Sequence, residues 1–455
     1  MPLTPERVHF VGIGGAGMSG IAMVLLDHGY TVSGSDLKKS EVTDKLQMLG
    51  ARVFYGHSPS HVGAAELVVY SSAIPPDNPE LVIARKRGLP VIPRAEMLGR
   101  LMRQWKGIAV AGAHGKTTTT SLVAFLLERT GLDPTAIIGG EMNGFGNAKA
   151  GGGEYLVAEA DESDGSFSLL DPSIVVVTNV EDDHLDYYRT VDAIRRAFRE
   201  FIFKVPRDGV AVLNYDDPFL RRVAHELPFP VITYGCAPDA DYRLAGFHLN
   251  CAVSGAEVYW RRELLGRLEL TIPGRHNLLN ALAVVAVGRH LGLEFPEIAR
   301  ALRGFRGVRR RFELVGESRG VRVVDDYAHH PTEIKATLEA ARQTRPKRLI
   351  AVFQPHRYTR TKFLHAEFGK AFTAADQVLL SRIYPAGEKP IPGVTARLIG
   401  DEIQKQQRVE PLLFEEQDEL VAHLASVVRE GDLVITLGAG DIWKSGRALL
   451  QILEG

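Results

Sequence analysis

The sequence predicts an α/β protein of three lobes: a Rossmann-like N-terminal lobe, a central phosphate-loop ATPase lobe and a Rossmann-like C-terminal lobe. Three observations carry this. A G-x-G-x-x-G run, Gly12 to Gly17, follows the strand-like RVHFV. A second glycine loop, in GIAVAGAHGKTTTTS (residues 107–121), joins a short apolar run to a helix-period segment through Lys116 and Thr117. The last third of the chain alternates apolar runs with helical periods, each run ending in polar residues. Strand and helix in alternation build parallel sheets with helices on their faces. The lobes are expected at 1–105, 106–308 and 309–455.

Composition agrees. A chain of 455 residues has room for about three domains, and 45% hydrophobic with 24% charged residues is ordinary for a globular protein. A net charge of −1 gives no global attraction to nucleic acid or an anionic membrane, and neither is expected as a partner. The N-terminal MPLTPERVHF enters a strand without an apolar signal segment, and no apolar run approaches the roughly 18 residues of a membrane span. The two cysteines, Cys236 and Cys251, lack metal-ligand spacing and read as thiols of a reducing compartment, so the cytoplasm is the expected location.

In the first lobe, RVHFV (7–11) is a strand, MSGIAMVLLDHG a helix and YTVSGSD a second strand ending on Asp36, 19 positions beyond Gly17. That spacing is the dinucleotide-binding fingerprint. The glycines cradle only a diphosphate, which NAD and a UDP-sugar both offer. LVVYSSAI (67–74) reads as a strand, PPDNPE as a turn into a helix, LPVIPR as a strand, and the helix AEMLGRLMRQ closes the lobe near Trp105.

The central lobe opens on the phosphate loop. Backbone N–H groups of Gly112, Ala113, His114 and Gly115 can converge on phosphate oxygens at a helix N-terminus. Lys116 then reaches the β/γ-phosphates, and the Thr117 hydroxyl can ligate Mg²⁺. The full G-x-x-x-x-G-K-[ST] pattern wants glycine where Val110 stands, so the match is to the shorter G-x-x-G-K-T. The glycine-rich IIGGEMNGFGNAKAGGGE after the helix reads as an exposed loop. Two apolar runs then end in acidic clusters, Glu159, Asp161, Glu162 and Asp164, and Glu181, Asp182, Asp183, His184 and Asp186. Metal ligands and water-positioning groups are built at such strand ends, although a site needs one or two of these carboxylates and the others read as solvated loop charge. GVAVLN (209–214) is a strand leading to Asp216 and Asp217, residues 231–272 alternate like a small antiparallel sheet, and a helix opens at GRHNLLNAL. Taken alone, asparagines there read as caps and His276 as structural.

The basic, glycine-punctuated LRGFRGVRRRF (302–312) reads as a hinge. Beyond it come the strand VRVVDDYAHHP and helix TEIKATLEAARQ, the strand RLIAVFQPHRYTRT and helix KFLHAEFGKAF, and the strand QVLLSRIYP and helix VTARLIGDEIQ, before a terminal strand DLVITLGAGDI. Asp325, Asp326, Tyr327, His329 and His330 cluster after one strand, and His356, Arg357 and Arg360 after another. Open parallel sheets bind ligands at such ends, and arginines there suit carboxylate or phosphate.

Taken together, GIGGAGMSGIA, GAHGKTTTT, EADESDGSF, TNVEDDHLDYY, GRHNLLNAL, GVRRRFE, DDYAHHPTE and FQPHRYTRT, in this order, resemble the Mur ligases of peptidoglycan synthesis, over essentially the whole chain. The resemblance implies an ATP-dependent carboxylate–amine ligase with UDP-N-acetylmuramate and L-alanine as substrates. It implies a UDP-sugar, not NAD, on Gly12, Gly14, Gly15, Gly17, Asp36, Ser71 and Ser72. It implies ATP on the loop from Gly112 to Thr118, with Lys116 on the phosphates, His276, Asn277 and Asn280 at the adenine, and Arg311 and Asp326 brought up by a closing third lobe. Two Mg²⁺ ions, replaceable by Mn²⁺, are implied on Thr117 and on Glu159 with His184. Tyr327, His329, Arg357 and Arg360 are implied at the carboxylate and the amino acid, and Lys116, His184, His329, Arg357 and Arg360 as catalytic.

The chain departs from the family at Ala113, where threonine is usual. Some members also carry a modified lysine after the DH motif, and Lys204 is in doubtful register for that role. A sibling ligase adding a tripeptide, a dinucleotide-dependent oxidoreductase carrying an ATPase lobe and a nucleotide switch are the rival readings.

Overall fold

The structure is a computed structural model that describes residues 6–142, 146–250, 253–407 and 410–455. The first five residues of the N-terminal segment, residues 143–145 of the glycine-rich stretch, Cys251 and the side chain of Asp186 lie outside the described residues. Three sheets are present, and their strands fall into two compact units. One unit holds the residues up to Ala245 with Val258–Gly266 and Asn280–Leu302. The other holds residues 246–257, Arg267–Leu279 and Arg303–Gly455.

The first sheet is assembled from β1 (Arg7–Val11), α1 (Ala16–Asp27), β2 (Thr31–Asp36), α2 (Glu41–Met48), β3 (Arg52–Tyr55), β4 (Leu67–Tyr70), α3 (Pro79–Lys86), β5 (Val91–Pro93) and α4 (Arg94–Met102). Its strands are all parallel, in the order β3-β2-β1-β4-β5. Because β1 lies between β2 and β4, the glycine loop that follows it sits at the switch point of the strand order, where such sheets take ligands. Neither α2 nor β3 is evident from the sequence. The helix is started by a Ser40–Thr43 capping box, and β3 is four residues, only one of them buried.

The central sheet begins with β6 (Lys106–Ala111), α5 (Lys116–Arg129), β7 (Thr135–Met142), β8 (Gly146–Lys149), β9 (Tyr155–Glu159) and β10 (Ile174–Val177). Then follow α6 (Leu185–Tyr188), α7 (Val191–Ile202), β11 (Val210–Asn214), α8 (Pro218–Ala224), β12 (Val231–Gly235), β13 (Tyr242–Leu249), β14 (Ser254–Trp260), β15 (Glu263–Leu270), α9 (Arg275–His290) and α10 (Phe295–Arg303). In the first unit the order runs β8-β7-β9-β6-β10-β11-β12-β13. Strands such as IVVV of β10, buried on both faces, read as unbroken apolar runs, which is the signature of a covered parallel sheet.

Two expectations are corrected here. The glycine-rich stretch is not an exposed loop but an antiparallel pair, β7 and β8, with Ile137 opposite Ala148. Burial decides it: Ile137 and Ala148 pack against Gly20 of α1, where a side chain would come within 3.3 Å of either. Asn147 ties the same surfaces, donating to Ala16 O at 2.9 Å and Ser19 Oγ at 3.0 Å. The segment from 231 does not start as an antiparallel sheet either. β12 pairs in parallel with β11, because the crossover helix α8 returns the chain in the same direction, and its last two residues pair in parallel with the start of β13.

The third sheet belongs to the second unit. It contains β16 (Glu313–Ser318), β17 (Val321–Asp326), α11 (Pro331–Gln343), β18 (Arg348–Phe353), α12 (Tyr358–Ala371), β19 (Gln377–Ser381), α13 (Arg397–Gln407), β20 (Leu412–Phe414), α14 (Gln417–Val427), β21 (Asp432–Leu437) and α15 (Trp443–Glu454). The order is β16-β17-β21-β18-β19-β20, parallel except for β16, with apolar cores on both faces. Residues 358–361, expected to extend a strand, are instead the first turn of α12, and the terminal strand is followed by α15. Among the described residues no helix is long and apolar enough to cross a membrane.

A buried polar knot braces the first sheet. Glu80, fully buried at the start of α3, accepts the Ser35 hydroxyl at 2.6 Å and the Ser58 N–H at 3.0 Å. His9 Nε2 lies 3.2 Å and His61 Nδ1 3.0 Å from the same carboxylate. Burial alone would raise the Glu80 pKa, but these donors, led by His9 and Ser35, hold it at about 2 against an ordinary 4.5. A depressed carboxyl pKa gives stability that is present above pH 4.5 and lost as pH falls toward 2. The amount at stake is about 3 kcal/mol. Urea unfolding between pH 6 and pH 3 is expected to show this loss, and Glu80→Gln to flatten that part of the profile while lowering stability at neutral pH.

Candidate active site

The first glycine loop is shaped by its own backbone. Gly12, at φ +85°, and Ile13 donate their N–H groups to Ser35 O, and the Gly14 N–H donates to Asp36 Oδ2 at 2.9 Å. Asp36 therefore closes the loop instead of standing open to a ribose hydroxyl. Ser71 packs beside Gly12, Ser72 is exposed next to it, and the Arg94 side chain lies over Gly17. Gly15 caps α1, whose unpaired N–H groups face the loop and suit an anion.

The phosphate loop leaves β6 between the ends of β9 and β10. Gly112 has φ +138°, and a Cβ there would fall 2.0 Å from Thr178 Oγ1, so glycine is obligatory. The loop is stapled to the end of β10: Ala113 N–H donates to Asn179 O, His114 N–H to Asn179 Oδ1, and Thr178 Oγ1 and Asn179 Nδ2 to His114 O. Because Ala113 takes part through its backbone, the loop holds this shape without the family's threonine. Gly115, at φ +82°, caps α5, and Asn280 lies close enough to clash with any side chain placed there.

Lys116 Nζ donates to Gly112 O at 2.6 Å, to Ala113 O at 3.3 Å and to Glu162 Oε1 at 2.7 Å. The ion pair is nearly dry, with Lys116 13% and Glu162 3% exposed. Burial alone would lower the Lys116 pKa, yet the Glu162, Asp161 and Glu159 carboxylates outweigh it and push it up to about 12. At Glu162 burial, helped by Asp161, opposes the charged form, and the Lys116 ammonium at 2.7 Å is what favours it. Glu162 Oε2 is buried with no hydrogen-bond partner among the described residues.

Thr117 Oγ1 donates to both oxygens of Glu159, at 3.0 and 3.2 Å, and the Gly139 N–H donates to Glu159 Oε2 at 3.0 Å. His184, held at φ +58°, caps the four-residue α6 and places Nε2 3.7 Å from Glu162 Oε1 and 3.6 Å from Asp183 Oδ2. Glu159 and His184 are thus each anchored in this site, Glu159 on Thr117 and His184 beside the Lys116–Glu162 pair. Four other acidic residues have local work. Asp161 and Asp164 accept N–H groups two residues on, Asp217 caps α8, and Asp216 accepts the Cys236 and Ala237 amides. Thr118 is buried in α5. Lys204 is held by Asp171 and Ser168 O.

In the second unit, Asp326 ends β17 and accepts the Phe312 N–H at 2.8 Å and the Ala328 N–H at 2.7 Å. Burial raises its carboxyl to about 6, against the Arg311 guanidinium. Arg310 and Arg311 both approach the Tyr327 ring, at 5.0 and 5.1 Å. His329 donates its N–H to Glu333 and packs edge-on to Tyr327 and His356. Arg357, at φ +71°, caps α12 and donates its N–H to Tyr384 O, while Arg360 lies 3.4 Å from His356 Nδ1. Tyr327, His329, His356 and Arg360 therefore form one contiguous cluster at the strand ends. His276 packs on Gly274, and burial lowers its pKa to about 4. Asn277, in the first turn of α9, donates its side-chain N–H to Pro273 O at 2.6 Å, so it does not make the accepting bond of a cap.

Three family models match successive segments of the chain. Residues 7–106 match the model of the Mur ligase family catalytic domain, 110–288 that of the Mur ligase middle domain, and 310–440 that of the Mur ligase glutamate ligase domain. A UDP-N-acetylmuramate–L-alanine ligase of Pelotomaculum thermopropionicum is 56% identical over 99% of this chain and 98% of its own. The crystal structure of a UDP-N-acetylmuramate–alanine ligase from Thermotoga maritima matches with a TM-score of 0.83 and 33% identity, covering 98% of this chain and 99% of that one. That of a UDP-N-acetylmuramate:L-alanyl-γ-D-glutamyl-meso-diaminopimelate ligase from Neisseria meningitides gives 0.62 and 29%, covering 67% and 99%.

Gly139 offers a test of the Glu159 position. Its φ is not left-handed, so alanine is tolerated by the backbone, but a Cβ would fall 2.3 Å from Glu159 Oε2. Gly139→Ala is expected to weaken Mn²⁺ binding about tenfold, measured by the paramagnetic signal of the ion, with melting temperature little changed. Unaltered Mn²⁺ affinity would separate Glu159 from metal binding.

Proposed function

This chain belongs to the Mur ligase family, and from that premise we propose that it joins L-alanine to the carboxylate of UDP-N-acetylmuramate with cleavage of ATP, a step of peptidoglycan synthesis. The observation that carries the reading is the 56% identity to a UDP-N-acetylmuramate–L-alanine ligase along nearly the whole chain. The tripeptide-adding relative is less similar, at 29% identity, and Asp36, engaged by Gly14, argues against a dinucleotide. ATP and a UDP-sugar are compounds of the cytoplasm, where we place the reaction.

A carboxylate is a poor acyl donor. Its oxygen attacks the γ-phosphorus of ATP, ADP leaves, and an acyl phosphate forms. The alanine amine then attacks the acyl carbon, and phosphate departs. Lys116 and the amides of Gly112–Gly115 hold the phosphates through the first step. Thr117, Glu159 and His184 suit Mg²⁺: a hydroxyl and a carboxylate lie within 3.2 Å, and Gly139 leaves room for the carboxylate. They would hold two ions, Thr117 one and Glu159 with His184 the other, and Mn²⁺ fits the same donors. Bound there, the ions would supply positive charge against the phosphate oxygens. In the second unit, Arg357 and Arg360 suit carboxylate recognition, and Tyr327 and His329 stand with them for the amino acid. Arg311 and Asp326 serve the nucleotide. Gly12 to Gly17 with Ser71 and Ser72 serve the diphosphate of the sugar, and His276, Asn277 and Asn280 the adenine.

Lys116→Ala is expected to lower turnover on the order of a thousandfold. It also strips Glu162 of its buried partner, so the single variant should melt earlier. Adding Glu162→Gln should restore the melting temperature without the rate. A recovered rate in the double variant would remove Lys116 from the chemistry.

Phosphate release is expected to require UDP-N-acetylmuramate and L-alanine together. With ¹⁸O in the lactyl carboxylate, one label must end in inorganic phosphate, because the amine breaks the bond between the acyl carbon and the bridging oxygen. Label in AMP, or phosphate without label, would exclude the acyl phosphate.

A further inference from the structure

The Lys116–Glu162 pair is not needed to build a phosphate loop, which is made by backbone amides and a lysine. Yet the lysine that should meet phosphate is fully engaged, its three donors on Gly112 O, Ala113 O and Glu162 Oε1. The Glu162 carboxylate stands where an anion is wanted, a substitute for phosphate supplied by the chain. It is also held in place. Tyr188 Oη donates to Glu162 O at 2.6 Å, and the Gly165 N–H donates to it at 2.9 Å, so the backbone carrying the carboxylate is pinned from two sides.

Charge then has to be accounted for. A nucleotide that draws Lys116 to its phosphates leaves Glu162 buried, with Oε2 already unpartnered and Oε1 losing its cation. Asp161 is near enough to add repulsion, and His184 Nε2, at 3.7 Å, is the nearest group able to answer it. A buried carboxylate stripped of its partner is strongly unfavourable. Bringing in more negative charge with the phosphates worsens the imbalance.

We infer that Glu162 is a positioning residue that makes nucleotide binding conditional on a divalent cation, by holding Lys116 until a second positive charge enters beside His184. Metal-free ATP must break the Lys116–Glu162 pair uncompensated, whereas ATP arriving with Mg²⁺ brings the compensation. The inference rests on the reading of this loop as the ATP site.

The test is calorimetric titration of the full-length chain with ATP alone, with neither UDP-N-acetylmuramate nor alanine present, once with EDTA and once with Mg²⁺. The wild type is expected to lose roughly a hundredfold in affinity without the ion, the cost of uncovering one buried charge. Glu162→Gln should bind metal-free ATP much more tightly than wild type does, narrowing that ratio to within a few-fold. Glu162→Asp, which keeps the charge, should keep the wild-type ratio and guards against a folding artefact in the amide variant. If Glu162→Gln retains the full hundredfold dependence, the inference is overturned. If the wild type binds ATP equally with and without Mg²⁺, it is overturned as well. If the wild type binds ATP under neither condition, the nucleotide reading itself falls.

Discussion

The narrow passage between the ends of β9 and β10 governs this protein. The chain leaving β6 has to turn there at Gly112, with the Thr178 hydroxyl where a side chain would be. Four hydrogen bonds from Ala113, His114, Thr178 and Asn179 then fix the turn. Everything else at the site takes its position from that turn. It aims α5 so that Lys116 and Thr117 emerge in its first turn, one toward Glu162 and the other toward Glu159. Both carboxylates come from the segment that ends β9, the strand beside β6 in the sheet. A parallel sheet brings these residues together because each strand ends on the same edge as its neighbours.

Much of this was legible. The two glycine motifs, Lys116, Thr117, and the acidic strand ends at Glu159 and His184 all lie where spacing and strand–loop–helix order put them. Such features are local, and local rules locate them. What could not be read depends on partners distant in sequence. The stretch around β7 and β8 has the composition of a loop, and it becomes a strand pair because Ile137 and Ala148 find Gly20 of α1. The parallel pairing of β12 with β11 reflects the route of α8, which alternation in sequence does not encode. Gly139 looks like half of a flexible Gly-Gly pair, and its importance comes from Glu159, 20 residues further along. Glu162 was visible as one acid among several; only its contact with Lys116 sets it apart.

In the first lobe the motif alone does not decide the ligand. The spacing from Gly17 to Asp36 is that of a dinucleotide fold, and the strand order bears out a doubly wound sheet. The carboxylate, however, is engaged by the amide of Gly14. Spacing reports that an acid sits at the end of β2. It does not report which hydrogen bond that acid makes, and the ligand depends on the hydrogen bond.

The β7–β8 pair touches two places at once. Through Asn147 and Ala148 it lies on α1, the helix that starts at the first glycine loop, and through Gly139 it holds Glu159. The pair therefore spans the two loops to which the proposed reading assigns the sugar nucleotide and ATP. Whatever free energy it passes from one to the other must, by reciprocity, return unchanged in the opposite direction. Any change in this pair that altered the coupling of the two loops would alter it equally in both directions.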